Sequence, residues 1–231
     1  MISKDSLRKL LYFDVETASG FQSLDDLKDK NPRLAKLWEK RSDYYKKSEY
    51  TESDDSGEIY LQKSALEPEF SRVVCVSFGT IDDSGETRFI SFYGSDEIDI
   101  LNKSNKVFNN AIVKGWKLCG HNIKAFDVPC LGKRMIYNGI VPSSNIIVGD
   151  KKPWEIPFVD TSELFSFGSW TMQKSLSLDL LACSLGVTSP KDDISGSEVT
   201  KTYWSGGAER IKEYCERDVS TVIEILNKTA Y

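Results

Sequence analysis

The stretch LLYFDVETASG, residues 10–20, constrains the fold most, because it places two carboxylates in an otherwise apolar strand. Its Leu, Tyr, Phe and Val side chains favour β-structure and predict a first strand over about residues 9–15. Side chains at positions i and i+2 of a strand share a face, so Asp14 and Glu16 should lie side by side. Buried unpaired carboxylates repel each other, and nearby cations would relieve this cost; the alternative is a solvated edge strand with incidental acids.

Length and composition predict one domain covering residues 1–231, with 40% hydrophobic residues to form its core. The five cysteines are widely spread and form no CxxC pair, which is typical of reduced thiols in a cytoplasmic protein. No apolar run is long enough to span a bilayer, and the start MISKDSLRKLL lacks the pattern of a secretory signal. We therefore expect a cytoplasmic protein with no membrane partner.

The net charge of −5 limits how the chain could handle nucleic acid. Proteins that coat a duplex through charge alone are usually basic, so a broad basic binding face is excluded. Any contact with nucleic acid should therefore be local or assisted by cations.

In the first half of the chain, the sequence pattern predicts helices and then a hairpin after the first strand. Residues 23–50 are charged but carry Leu, Trp and Tyr at helical intervals, with Pro32 starting a second helix. The runs 70–81 and 87–94 flank a turn containing Gly and predict a two-stranded hairpin. Ser95 is the predicted N-cap of the helix that follows.

The second half predicts strands that lead into helices. Residues 117–139 read as a short strand, a turn and a helix, and 154–165 as a strand followed by a short helix. Two more helices are predicted, over 174–187 and from about Ala208 to Lys228. This order predicts an α/β fold, with a mixed sheet and helices on its faces.

Three further polar residues lie on helices predicted in the second half of the chain. Asp127 starts the helix of the HNIKAFD segment, while Tyr214 and Asp218 are one turn apart on the last helix. Taken singly, they could be a helix-dipole acid, a core aromatic and a surface acid. Together with Asp14 and Glu16 they form an oxygen-rich set that suits two Mg²⁺ or Mn²⁺ ions rather than Zn²⁺. Two such ions about 4 Å apart clamp a phosphoryl group for in-line displacement.

The segments FDVET, HNIKAFD and YCERD, taken in order, resemble the three motifs of the DEDD 3′–5′ exonuclease superfamily. The tyrosine of the third motif marks the DEDDy branch, and the chain resembles stand-alone exonucleases related to the proofreading domain of family B DNA polymerases. The resemblance implies a ribonuclease H-like (DnaQ-like) fold, a mixed five-stranded sheet flanked by helices. Residues 23–65 would be a helical insertion after the first strand.

The resemblance also implies roles for the five polar residues. Asp14, Glu16 and Asp218 would hold the ion that binds the nucleophilic water, and Asp127 would help Asp14 to hold the second ion. Tyr214 would orient the water.

Other residues would contact the substrate. The resemblance implies that Thr17 and Asn122 touch the terminal nucleotide and that Phe126 packs near it. The most basic part of the chain could bind flanking phosphates or be solvated surface; it comprises Lys124, Lys133, Arg134, Lys151 and Lys152. Trp154 and Trp170 could stack on unpaired bases, although packing in the core or a loop is favoured.

We therefore expect a metal-dependent 3′–5′ exonuclease that hydrolyses phosphodiester bonds at the 3′ end of single-stranded DNA. The alternatives are a 3′–5′ exoribonuclease and a non-catalytic module that binds nucleic acid or another protein. A replication or repair partner would fit a proofreading role. The 23–65 insertion would shape access to the site or dock a partner, or be a surface decoration.

Overall fold

A mixed five-stranded sheet is the centre of the computed structural model, which describes residues 2–47, 53–168, 176–188 and 194–231. The spatial order is β3-β2-β1-β4-β5; β1 pairs antiparallel with β2 and parallel with β4. This confirms the predicted α/β sheet and its hairpin. The strands are β1 (Leu10–Ser19), β2 (Ser71–Ile81), β3 (Thr87–Tyr93), β4 (Lys117–Gly120) and β5 (Val159–Asp160).

Helices connect and flank these strands. Single 3₁₀ turns span Ser64–Leu66, Pro153–Glu155 and Gly196–Glu198. None of the helices in the described ranges is long and apolar enough to cross a membrane. The α-helices are α1 (Lys4–Leu7), α2 (Leu24–Lys30), α3 (Pro32–Lys47), α4 (Ser56–Lys63), α5 (Glu97–Lys114), α6 (Asp127–Tyr137), α7 (Thr161–Leu164), α8 (Leu178–Leu185), α9 (Val199–Trp204) and α10 (Ala208–Thr229).

The two faces of β1 are buried against different helices. Odd-numbered residues such as Phe13 and Val15 pack in a cluster with residues of α5 and α6. Even-numbered residues such as Leu10 and Tyr12 pack against α10. The alternation that follows from strand geometry therefore determines which helix each side chain of β1 meets.

Two sequence expectations about element ends need correction. The helix after the hairpin is capped by Asp96, whose side chain accepts from Asp99 N–H, and not by Ser95. The first strand extends to Ser19, beyond the expected end at residue 15, because its polar end is hydrogen-bonded by distant residues. Thr200 Oγ1, for example, accepts from Ser19 N–H at 3.1 Å.

The described part of the segment between β1 and β2 forms three helices with their own apolar core. Pro32 starts α3, as predicted, and Trp38 is fully buried among residues of α2 and α4. Leu37, expected on the apolar face, is instead 49% exposed. The segment also packs against β1, since Thr17 Oγ1 donates to Ala65 O at 2.7 Å.

The strands β1 and β4 pair only as far as Tyr12 and Cys119. Beyond that point the chain turns sharply at Gly120, where an added Cβ would lie 2.4 Å from Ile123 and 2.7 Å from Phe13 O. Only glycine fits such a close approach. The strands separate here, and α6 begins beside the part of β1 that carries the acids.

Candidate active site

Two carboxylates lie side by side near the middle of β1. Asp14 and Glu16 occupy the face that meets α10, between the buried residues Tyr12 and Ala18. Glu16 is only 8% exposed, and its carboxyl group hydrogen-bonds that of Asp14. The side-by-side prediction is confirmed, and the solvated edge strand is excluded because α10 covers the face of β1 that carries the two acids.

The third carboxylate, Asp127, enters from the start of α6. It is 3% exposed, and it accepts hydrogen bonds from its own backbone N–H and from that of Val15. Because Val15 lies between Asp14 and Glu16 in β1, this contact joins the second sequence motif to the first.

The helix α10 brings the third motif to the same place. The charges of Asp14, Asp127 and Asp218 all act on Glu16. The hydroxyl of Tyr214, which is 6% exposed, is affected by Asp218, Glu16 and Asp14. The structure therefore brings together all five residues that the sequence placed in one site.

A thiol that the sequence analysis did not assign to the site completes this cluster. Cys215 Sγ donates to Asp14, with 3.3 Å to Oδ2 and 3.4 Å to the backbone O. Its position in the apolar stripe of α10 identified it only as a core residue, and nothing local in the sequence indicates that it touches a carboxylate 201 positions away.

Burial and mutual repulsion raise the pKa values of the acids. Burial raises the pKa of Asp14 to about 6. The pKa of Glu16 and that of Asp127 are also raised well above their ordinary values, by burial first and then by the charge of Asp14. Burial, followed by the charge of Asp218, also raises the pKa of Tyr214, so its hydroxyl stays protonated at neutral pH.

The donor set fits a divalent cation. Ligand atoms of Asp14, Glu16 and Cys215 lie within 4.8 Å of one another. Among the described residues, no lysine or arginine forms an ion pair with Asp14, Glu16 or Asp127. Clustered carboxylates without a cationic side chain are suited to hard ions such as Mg²⁺ or Mn²⁺, which relieve the repulsion.

Comparison with known proteins agrees with this geometry. Residues 63–224 match the family described as a predicted 3′–5′ exonuclease related to the exonuclease domain of PolB. The chain belongs to this exonuclease family. The family B DNA polymerase from the hyperthermophilic archaeon Pyrobaculum calidifontis has a similar fold, with a TM-score of 0.55 and 16% identity over 95% of this chain. The chain spans 24% of that polymerase. No curated protein sequence matches the present chain.

The family match contains the second and third motifs of this exonuclease but not the first. Asp127, Tyr214 and Asp218 lie within residues 63–224, whereas Asp14 and Glu16 precede that range. The contacts through Val15 and Cys215 supply the link, because each joins β1 directly to a residue or helix inside the matched region.

A buried acid that was not predicted, Asp160, shapes the loop before Asp127. Its carboxylate accepts from Asn122 N–H at 2.8 Å and Lys124 N–H at 3.1 Å. Asn122 adopts a left-handed conformation, with a φ of 59°, which asparagine tolerates better than most residues. The nearby ring of His121 lies 2.8 Å from Thr161 Oγ1 and 2.7 Å from Leu176 O. These contacts fix the loop against the end of β5.

The remaining predicted substrate contacts lie at the edges of the acid cluster. Phe126 is half-buried and directly precedes α6. Thr17 is 6% exposed and uses its hydroxyl hydrogen to bind Ala65 O. Thr17 therefore holds the segment between β1 and β2, and its hydroxyl oxygen can still accept a hydrogen bond.

The basic residues of the second motif are engaged with carboxylates, which was not predicted. Lys124 binds Glu163, Lys133 binds Glu69 and Arg134 binds Glu97. These ion pairs favour structural roles over phosphate binding.

Two tryptophans and two lysines are the last of the residues that the sequence offered as contacts for nucleic acid. Trp154 is 74% exposed, which contradicts packing in the core; it lies in the 3₁₀ turn Pro153–Glu155, with Lys152 Nζ 5.4 Å from the centre of its ring. Lys151 and Lys152 are exposed. Trp170 lies outside the described residues.

Proposed function

We propose that the protein is a metal-dependent 3′–5′ exonuclease that removes nucleotides from the 3′ end of single-stranded DNA. The observation that carries this proposal is the meeting of β1, α6 and α10, which brings Asp14, Glu16, Asp127 and Asp218 into one cluster in which Glu16 and Asp127 are buried. The similar fold of a DNA polymerase favours DNA over RNA as the substrate.

The four acids divide naturally into two ion-binding groups. Asp14, Glu16 and Asp218 would hold one Mg²⁺ or Mn²⁺, and Asp127 with Asp14 would hold the other. Bound ions of this kind lower the pKa of water and offset negative charge on the phosphate. The chain contributes a rigid arrangement, because Asp14 is held by Cys215 and Asp127 by the backbone of β1.

Tyr214 is proposed to orient the attacking water. Because its pKa is raised, the phenol is not a general base at neutral pH. The protonated hydroxyl can donate one hydrogen bond and accept another, which suffices to align a water molecule. Tyr214 lies one turn before Asp218, so the water would be held beside an acid that binds a metal ion.

A single strand is the proposed substrate because three described cations around the second motif, Lys124, Lys133 and Arg134, are already ion-paired. A duplex would need a broader set of phosphate contacts than these residues offer. Hydrolysis should therefore be faster on single strands than on blunt duplexes.

The test is a time course on end-labelled DNA and RNA oligonucleotides with Mg²⁺, with Mn²⁺ and with excess chelator. The expected result is metal-dependent release of nucleotides from the 3′ end of single-stranded DNA. Asp14→Ala should lower turnover by several orders of magnitude. Asp25→Asn, an exposed acid paired with Lys28 on α2, is the matched control and should leave turnover unchanged.

Three results would contradict the proposal. Activity in excess chelator would exclude the metal mechanism. Faster hydrolysis of RNA would reverse the substrate preference. Binding of oligonucleotides without hydrolysis under every metal condition would indicate a non-catalytic module.

A further inference from the structure

Next to Asp218, α10 carries a cation whose hydrogen-bonding edge the described protein does not use. Arg217 directly precedes Asp218 and lies one turn after Tyr214. Its side chain is partly exposed, yet Nε and Nη2 are enclosed and have no hydrogen-bond partner in the described chain. Enclosing a charged group without acceptors is unfavourable, so this edge points to an acceptor that a ligand would supply.

Two other arginines show what this edge normally binds. Arg134 directs Nε and Nη2 to the two carboxylate oxygens of Glu97, at 2.8 and 2.5 Å. Arg41 directs the same two nitrogens to Glu67. The Nε–Nη2 edge is a rigid fork that matches two oxygens of a carboxylate or a phosphate. In Arg217 both nitrogens of this fork lack such an acceptor.

We propose that Arg217 binds a phosphodiester group of the DNA strand, next to the phosphate that is cleaved. This inference rests on the proposed exonuclease function and names the residue that would hold the strand. The fork would donate to two non-bridging oxygens of one phosphate, while Asp218 of α10 and the acids of β1 and α6 would hold the metal ions.

The surroundings of Arg217 favour a phosphate over other anions. The neighbouring cluster already contains four carboxylates, so a strand entering it needs local positive charge. The cations nearest the second motif are used in ion pairs with Glu163, Glu69 and Glu97. Arg217 lies on the same helix as Asp218 and, among the described residues, does not have its fork occupied in this way.

The position of Arg217 also allows contact with a bound strand. Residues three and four apart share a helix face, so Arg217 is flanked by Tyr214 on one side and Thr221 on the other. Thr221 Oγ1 donates to Thr188 O at 3.5 Å, and Ile194 packs in one cluster with Tyr214. Since the arginine side chain is partly exposed, rotation about its terminal torsions can bring the fork to a phosphate beside Tyr214.

The test compares Arg217→Met and Arg217→Lys with a matched control, Lys212→Met. Lys212 carries the same charge on α10 but binds Glu209 at 3.1 Å and Glu216 at 3.8 Å. The kcat and KM of each variant are measured on oligo(dT) over a range of salt concentrations. Binding of the same oligonucleotide is measured by fluorescence anisotropy in excess chelator. The melting temperature of each variant is measured in the absence of nucleic acid.

Arg217→Met should raise KM and the dissociation constant by about 10–100-fold, the usual effect of losing hydrogen bonds from a charged donor. It should also reduce the slope of log affinity against log salt by about 0.7, the value for one phosphate contact on a single strand. Arg217→Lys should keep the slope but raise KM by a smaller factor. Lys212→Met should change neither quantity.

Thermal stability distinguishes a binding role from a structural one. Because no described residue accepts from the fork, Arg217→Met should leave the melting temperature unchanged or raise it. Unchanged affinity and salt slope in Arg217→Met would overturn the inference, as would a marked fall in its melting temperature or an equal loss in Lys212→Met. Wild-type protein that hydrolyses no nucleic acid would refute the proposed function, while the anisotropy comparison would still decide the role of Arg217.

Discussion

Replacing Glu16 by glutamine should stabilise the metal-free protein and abolish its activity. At about pH 8, Glu16 must either carry its charge among three other carboxylates or hold a proton that the unfolded chain releases. Either state lowers the free energy of unfolding. Glutamine avoids both, and its amide can donate to Asp14 where the Glu16 carboxyl now forms a hydrogen bond.

The structure sets the size of this effect. The rise in the pKa of Asp14 from 3.8 to about 6 corresponds to about 3 kcal/mol, at 1.36 kcal/mol per pKa unit. Two unit charges 4.8 Å apart repel by about 3.5 kcal/mol at an effective dielectric constant of 20. Since glutamine still buries an amide, we expect a gain of about 1–3 kcal/mol. For a chain of this size that is a rise of about 3–10 °C in melting temperature.

Glu97 provides a matched control, because it has the same residue type and the same 8% exposure. It accepts from Arg134 and from Val73 N–H at 2.8 Å, so its charge is compensated. Glu97→Gln should therefore lower the free energy of unfolding by about 2–4 kcal/mol, the opposite sign. The protein thus offers one substitution at two equally buried sites with opposite expected outcomes.

Thermal unfolding of both variants is measured in excess chelator and again in saturating Mn²⁺. Wild-type protein should gain stability with the metal, by about 2.7 kcal/mol at 100 times the dissociation constant, and Glu16→Gln should lose most of that gain. A lower melting temperature for Glu16→Gln in chelator, or a metal-induced rise equal to that of wild type, would refute this reasoning.

Three further predictions concern pH, Tyr214 and the segment between β1 and β2. Because the folded pKa of Asp14 is raised, its stabilising effect is complete below pH 3.8 and is lost as pH rises through about 6; melting curves in chelator should show this loss. Paired acids such as Asp82, whose pKa is lowered to about 2, act in the opposite sense below pH 4, so stability should be greatest near pH 4. Tyr214→Phe should lower kcat by about 10²–10³ with little change in KM, while Asp218→Asn should be more damaging; wild-type kcat in Tyr214→Phe, with chemistry rate-limiting, would make Tyr214 a core aromatic only. Replacing residues 24–50 with a Gly-Ser linker should change the preferred oligonucleotide length, and a folded variant with unchanged kinetics would refute that role.

Much of the fold was predictable because its signals are local. The alternation of polar and apolar residues identified β1 and the hairpin, and Pro32 marked the start of α3. Gly186 ends α8 in the left-handed conformation expected there. The extension of β1 to Ser19 was not predictable, since its polar end depends on hydrogen bonds to residues such as Thr200 and Trp204.

The site was predictable in its acids but not in the residues that support them. Strand and helix periodicity placed Asp14 beside Glu16, and Tyr214 one turn from Asp218. The thiol of Cys215 on Asp14 and the three ion pairs around the second motif depend on tertiary contacts that no local pattern encodes. For this reason the sequence alone could not decide whether the basic residues around the second motif bind phosphate or are solvated at the surface.

The contrast between satisfied and unsatisfied charges explains how this protein can be both stable and active. Glu97 and Arg134 neutralise each other within the fold, so they stabilise it and are unavailable to a ligand. Asp14 and Glu16 instead face other acids, and Arg217 has no acceptor for its fork among the residues that the structure describes. The acids would be relieved by divalent cations and the arginine by a phosphate, and a metal-bound phosphodiester strand supplies both. The repulsion among the acids of β1 and the enclosed fork on α10 therefore both favour binding of a metal-bound phosphodiester strand. Substitutions that neutralise either side should raise stability and weaken substrate binding.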